Sequence, residues 1–216
     1  MVPNEMYTVA WFKLADFVMR GEKERALGVH KLLMHSVSDT ALSYQLEADI
    51  LLAFDDHDAI DKYHVAANLY KKSGRYKQAI AVYEHVATFK QEPTILDALL
   101  DVYLVEHKFA LLLDVFERFA HIHVQNANIG LIINKLHLLS AESSPLLLGR
   151  LYVRFSYVLL SYANLAPNAL PYIQQAILYF QDAPNASIEE VEYFLEKVKA
   201  VQPALYTKAN AYYRMK

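Results

Sequence analysis

The stretch DKYHVAANLYKKSGRYKQAIAVYEHVATFKQ, residues 61–91, decides how the chain folds. Tyr63, Ala66, Ala67 and Tyr70 recur at the three- and four-residue spacing of one helix face, and Tyr76, Ala79, Ile80 and Tyr83 do the same after Gly74. Two amphipathic helices joined by so short a turn must lie antiparallel, because the link cannot cross a domain. Ala67 and Ala79 are small enough to let the two helices approach closely, and Gly74 supplies the backbone conformation of a tight turn. Tyr70 and Tyr83 fill the space beside them.

The pattern continues outward. A step of 33 residues from Tyr63 reaches Leu96, then Leu99, Leu100 and Tyr103, a turn at His107, and Phe109, Leu112, Phe116 and Phe119. The next step reaches Ile129, Ile132, Ile133 and Leu136, after which SAESSPLLL lengthens the turn and the pattern fades. Backward, Trp11, Leu14, Ala15 and Val18 precede Gly21 and Ala26, while Tyr44, Ala48 and Leu51 fit another first helix. That last helix would pair with Asp58–Ser73, which also opens the 61–91 unit, so the pairing phase near residues 55–60 stays open. The breaks between periodic runs predict helices over 6–20, 23–36, 39–54, 58–73, 75–89, 93–106, 108–124, 128–140, 145–163, 167–181, 187–201 and 203–214. Ser187 with Glu190 forms a capping-box pattern, and Thr94 with Asp97 a weaker one.

The unit at 61–91 resembles a tetratricopeptide repeat, a helical hairpin of about 34 residues. The resemblance implies an all-α fold of about twelve helices, with antiparallel hairpins stacked as a right-handed solenoid. Residues 1–140 would hold the repeats, and residues 141–216 degenerate repeats or a C-terminal helical cap continuous with them. Such proteins line a concave groove with first-helix residues, which places Phe12, Asp16, Asp61, His64, Asn68, Lys71, Asp97 and Asp101 there. The function implied is a scaffold or adaptor, not an enzyme, that holds a partner peptide or helix. The clamp by which some members bind chaperone tails is incomplete, since His64 stands where Lys is expected and Ala98 where Asn is expected.

Composition narrows the classes. The chain has no cysteine, which excludes disulfides and thiolate chemistry and fits a cytoplasmic setting. A net charge of −3 gives no broad attraction to nucleic acid or to an anionic membrane. The longest apolar run, Leu146–Leu160, is broken by Arg150 and Arg154, so no membrane span is expected. The opening residues have no signal or transit character. A hydrophobic fraction of 55 %, high for an open helical array, favours a second reading, a subunit that self-assembles or joins a larger complex.

Three clusters suggest chemistry. His57, Asp61 and His64 are one helical turn apart, the pattern of a metal-dependent hydrolase, although aspartates at a helix N-terminus also complement its dipole. Lys71, Lys72, Arg75 and Lys77 surround Gly74 beside Tyr70 and Tyr76, a basic and aromatic turn that either meets RNA or is simply solvated. Arg150 and Arg154 share a face that is either a cationic stripe in the groove or a pair snorkelling to water. No phosphate-binding glycine loop, serine elbow or zinc-protease motif is present, and no cofactor or bound metal is expected.

Overall fold

The computed structural model describes residues 3–35 and 37–215. Among the described residues it is all-α, with twelve helices and no strand. They are α1 (Pro3–Met19), α2 (Lys23–Met34), α3 (Thr40–Ala53), α4 (Asp58–Lys72), α5 (Tyr76–Phe89), α6 (Pro93–Val105), α7 (Phe109–Gln125), α8 (Ile129–Ser140), α9 (Pro145–Leu160), α10 (Leu170–Gln181), α11 (Ile188–Val201) and α12 (Pro203–Met215). A short 3-10 turn, Ala166–Ala169, precedes α10. The expected helices all exist; α9 ends three residues early, and the expected end of the second helix, Ser36, lies outside the described residues.

Five of the connections are closed by the same backbone device. After α1, α3, α4, α6 and α7 one residue takes a positive φ: Gly21 (74°), Asp55 (51°), Gly74 (73°), His107 (55°) and Ala127 (56°). Its N–H bonds three residues back and the next N–H bonds five residues back, as in Gly74 to Lys71 O (3.0 Å) and Arg75 to Tyr70 O (2.9 Å). This is the Schellman arrangement, which satisfies the last helical carbonyls. The residue after the turn packs on the helix it leaves: the Arg75 guanidinium lies 4.5 Å above Tyr70, and the Lys108 ammonium 6.0 Å above Tyr103. Ala127 adopts a conformation that its Cβ disfavours, so Ala127→Gly is expected to stabilise the protein by about 1 kcal/mol. Gly74→Ala, whose added Cβ would meet open space, is expected to lose about as much through the backbone alone. Urea unfolding midpoints check both.

The chain divides into two compact units, Met1–Ile95 and Leu96–Lys216. In the first, α1 packs on α2, α2 on α3, α3 on α4 and α4 on α5. The shared helix α4 therefore answers the phase question: it has two packed faces. Tyr63 and Tyr70 reach α3, donating hydroxyl hydrogen bonds to Asp49 (2.5 Å) and Gln45 (3.0 Å). The other face meets α5, where Tyr83 donates to Asn68 (3.2 Å). Ala66, Ala67 and Ala79 are wholly buried, as close helix approach requires. Asp39 caps α3 through the Leu42 N–H and grips Arg75 with both oxygens at 2.5 and 2.9 Å. The guanidinium holds the Asp39 carboxyl down to about 2.

In the second unit α7 packs on α8 and α9, α9 on α10 and α11, and α12 on α10 and α11. Pairing with the next helix and the next but one is what stacked hairpins produce. Phe155, Phe180 and Phe194 are buried within it, and a Cβ on Gly149 of α9 would come within 3.0 Å of the Phe180 ring. A side chain at 149 would therefore push the buried Phe180 ring aside by a few tenths of an ångström. The capping box expected at Ser187 forms only in part. Ser187 accepts from the Glu189 N–H (3.1 Å), but the Glu190 carboxylate turns to Arg150 instead, at 2.7 and 3.1 Å, because a bidentate guanidinium bond is stronger than a return to the cap. Thr94 is no cap at all: α6 already starts at Pro93, and the Asp97 side chain serves Lys135.

Candidate functional site

The expected groove residues fall into separate groups. On α4, Asp61 and Asn68 are exposed and His64 and Lys71 half-buried; Tyr83 draws two of them together, accepting the His64 ring edge-on at 6.2 Å while bonding Asn68. On α1, Phe12 is 72 % exposed and Asp16 pairs with Arg20 along its own helix at 3.0 Å. On α6, Asp97 and Asp101 converge on the buried ammonium of Lys135, at 2.9 and 2.7 Å. Two carboxylates expected to face a ligand thus already hold an internal cation.

Two open slots have the apolar character of docking surfaces. The first, about 390 Å³, runs between α1 and α3 and is lined by Trp11, Leu14, Val18, Met19, Leu46 and Ile50, with Asp49 as its charged group. Beside it Met19 is 80 % exposed and Phe12 nearly as much, more than a helix packed on one side needs to show. Tyr44, Ala48 and Leu51 of α3 each lie 33 residues after Trp11, Ala15 and Val18 of α1, the spacing at which both were read as first helices. That offset was the available signal. It left the slot itself unmarked, because the clearest motif, on α4 and α5, shares α4 with this hairpin and kept the pairing phase open.

The second slot, about 370 Å³, lies between α9 and α11, lined by Tyr157, Leu160, Ser161, Tyr193 and Val201, with Lys197 as its charged group. Burial pushes the Tyr157 hydroxyl up to about 12, so it stays neutral and can only share a hydrogen bond. Tyr193 and Val201 are 63 % and 54 % exposed. This surface belongs to the region where the repeat motif has faded, and no motif could have marked it.

The clusters singled out for chemistry resolve into ion pairs and caps. Among the described residues no three His, Cys, Asp or Glu side chains gather into a group able to hold a metal ion, so His57, Asp61 and His64 do not converge. Asp56 bonds the Asp58 N–H at the start of α4 and pairs with Lys23. In the basic turn Arg75 is committed to Asp39. Arg150 and Arg154 form no unneutralised cationic stripe: Arg150 binds Glu190, and Arg154 binds Glu117 at 2.5 Å and Asp114 at 3.5 Å. His121 and His123 diverge, the first bonding Tyr162 at 3.2 Å, the second buried edge-on against Phe119 at 4.4 Å. Among the described residues no helix is long and apolar enough to cross a membrane.

No family model matches the chain, and no curated protein matches it in sequence.

Proposed function

We propose that this chain is a cytoplasmic scaffold of the tetratricopeptide type, without catalytic activity, that binds another protein by seating a peptide or helix on its first-helix side chains. The observation that carries this reading is the α1–α3 slot. An apolar channel with Trp11, Phe12 and Met19 at the surface offers the large, rigid side chains around which protein interfaces concentrate their energy. An amphipathic helix lays its apolar face into such a groove, and Asp49 then selects for a basic group at one end. The exposed polar residues Asp61 and Asn68 of α4, with His64 and Lys71, extend the polar surface a partner could read in the same unit.

Affinity capture from the native lysate, followed by mass spectrometry, tests the assignment. Trp11→Ala is expected to reduce recovery of the partner roughly tenfold or more, as the loss of an aromatic anchor does. Asn68→Ala and Lys71→Glu report separately on the α4 face, with helicity measured by circular dichroism for each variant. A partner recovered equally by all four chains would remove both surfaces from the function.

A further inference from the structure

The two apolar slots carry opposite charges, and among the described residues neither charge has an ion pair. Asp49, in the α1–α3 slot, is exposed and accepts the Tyr63 hydroxyl hydrogen bond at 2.5 Å, and among the described residues no cation pairs with it. Lys197, in the α9–α11 slot, meets no carboxylate among the described residues; its ammonium lies 5.1 Å above the Tyr193 ring. Of the charges nearby, Asp16 pairs with Arg20 after α1 and Glu196 with Lys199 on α11. Each surface also has apolar side chains standing out beside its slot, Phe12 and Met19 on one, Tyr193 and Val201 on the other.

We propose that the occupant of the α1–α3 slot is a second copy of this chain, which presents its α9–α11 surface. The proposal rests on the α1–α3 slot being a docking surface and names what fills it. Phe12 of one molecule enters the α9–α11 slot of the next, whose volume accommodates a phenyl ring, and Lys197 meets Asp49 at the edge. Burying both charges in one contact is favourable only when they meet, so the pair also sets the orientation. The two surfaces are different patches of the chain, so the contact is heterologous. Each molecule keeps one free surface of each kind, and association continues into a ring or an open chain of copies.

Sedimentation and light scattering across the micromolar range test this on the full chain. Wild type is expected to grow beyond a dimer as concentration rises, and to shrink again in high salt. Phe12→Asp removes one surface and Tyr193→Asp the other; both side chains are mostly exposed, so each variant is expected to keep wild-type helicity and to be monomeric alone. Mixed in equal amounts, the two variants retain one intact surface each and are expected to form a species of twice the monomer mass and nothing larger. A monomeric wild type, a single variant that still dimerises, or a mixture that stays monomeric would each overturn the proposal. A monomeric wild type whose captured partner is lost on Trp11→Ala removes the second copy as occupant but leaves the docking surface standing. Capture that Trp11→Ala does not change removes the docking surface itself.

Discussion

Tyr63→Ala is expected to lower the unfolding free energy by about 3–5 kcal/mol, and Tyr63→Phe by only about 1 kcal/mol. The ring is 1 % exposed at the point where α4 meets both neighbours, edge-on to His85 at 5.4 Å and 6.5 Å from Phe89. Truncation to alanine opens a cavity that three packed helices cannot close. The hydroxyl is different, because its acceptor Asp49 is exposed and water replaces the bond when it is lost. Burial and the adjacent carboxylate both push the Tyr63 hydroxyl well above its ordinary value, so it donates throughout the neutral range. Urea unfolding followed at 222 nm separates the two substitutions. If phenylalanine proved as costly as alanine, the hydrogen bond rather than the packing would be holding α3 to α4.

The second large effect is expected at Lys135. Its side chain is 4 % exposed, and its three ammonium protons have three acceptors: Asp97 O at 3.1 Å, Asp97 Oδ1 at 2.9 Å and Asp101 Oδ1 at 2.7 Å. The two carboxylates are nearly half exposed, so the cost of the arrangement falls on the lysine alone. Lys135→Met leaves the aspartates to water and is expected to cost little more than a surface pair, about 1 kcal/mol. Lys135→Glu buries a third carboxylate beside the other two and is expected to cost about 3–5 kcal/mol. Comparing the two by thermal and urea unfolding distinguishes lost attraction from imposed repulsion. Equal stability of both variants would show that the site relaxes freely, and that α6 and α8 are not tied together there.

The local architecture was legible without coordinates. Helix positions follow from apolar spacing within a few residues, and Gly21 and Gly74 announce their turns because glycine alone adopts positive φ without strain. Asp55 and Ala127 make the same turn unannounced, since nothing in an aspartate or an alanine says that its neighbours will force it there, and His107 was placed at its turn by the 33-residue step rather than by its own chemistry. The capping box at Ser187 was read correctly for its serine and wrongly for Glu190, whose stronger partner Arg150 lies 40 residues away.

That distance is typical. Most of the ion pairs that cross between helices join residues 33 to 40 apart, among them Lys23 with Asp56, Asp39 with Arg75, Asp101 with Lys135 and Glu117 with Arg154. This is the length of one helical hairpin, so the partners depend on how hairpins stack rather than on how helices form. The sequence alone determined an all-α chain of twelve helices with its turns and its alanine contacts, because period and turn chemistry are properties of residues a few positions apart. Only tertiary packing decided that α4 has two packed faces, that Asp97 and Asp101 serve Lys135, and that Asp49 and Lys197 line apolar slots without an ion pair among the described residues. Those outcomes turn on which distant side chains a fixed stack of helices brings within a hydrogen bond of one another.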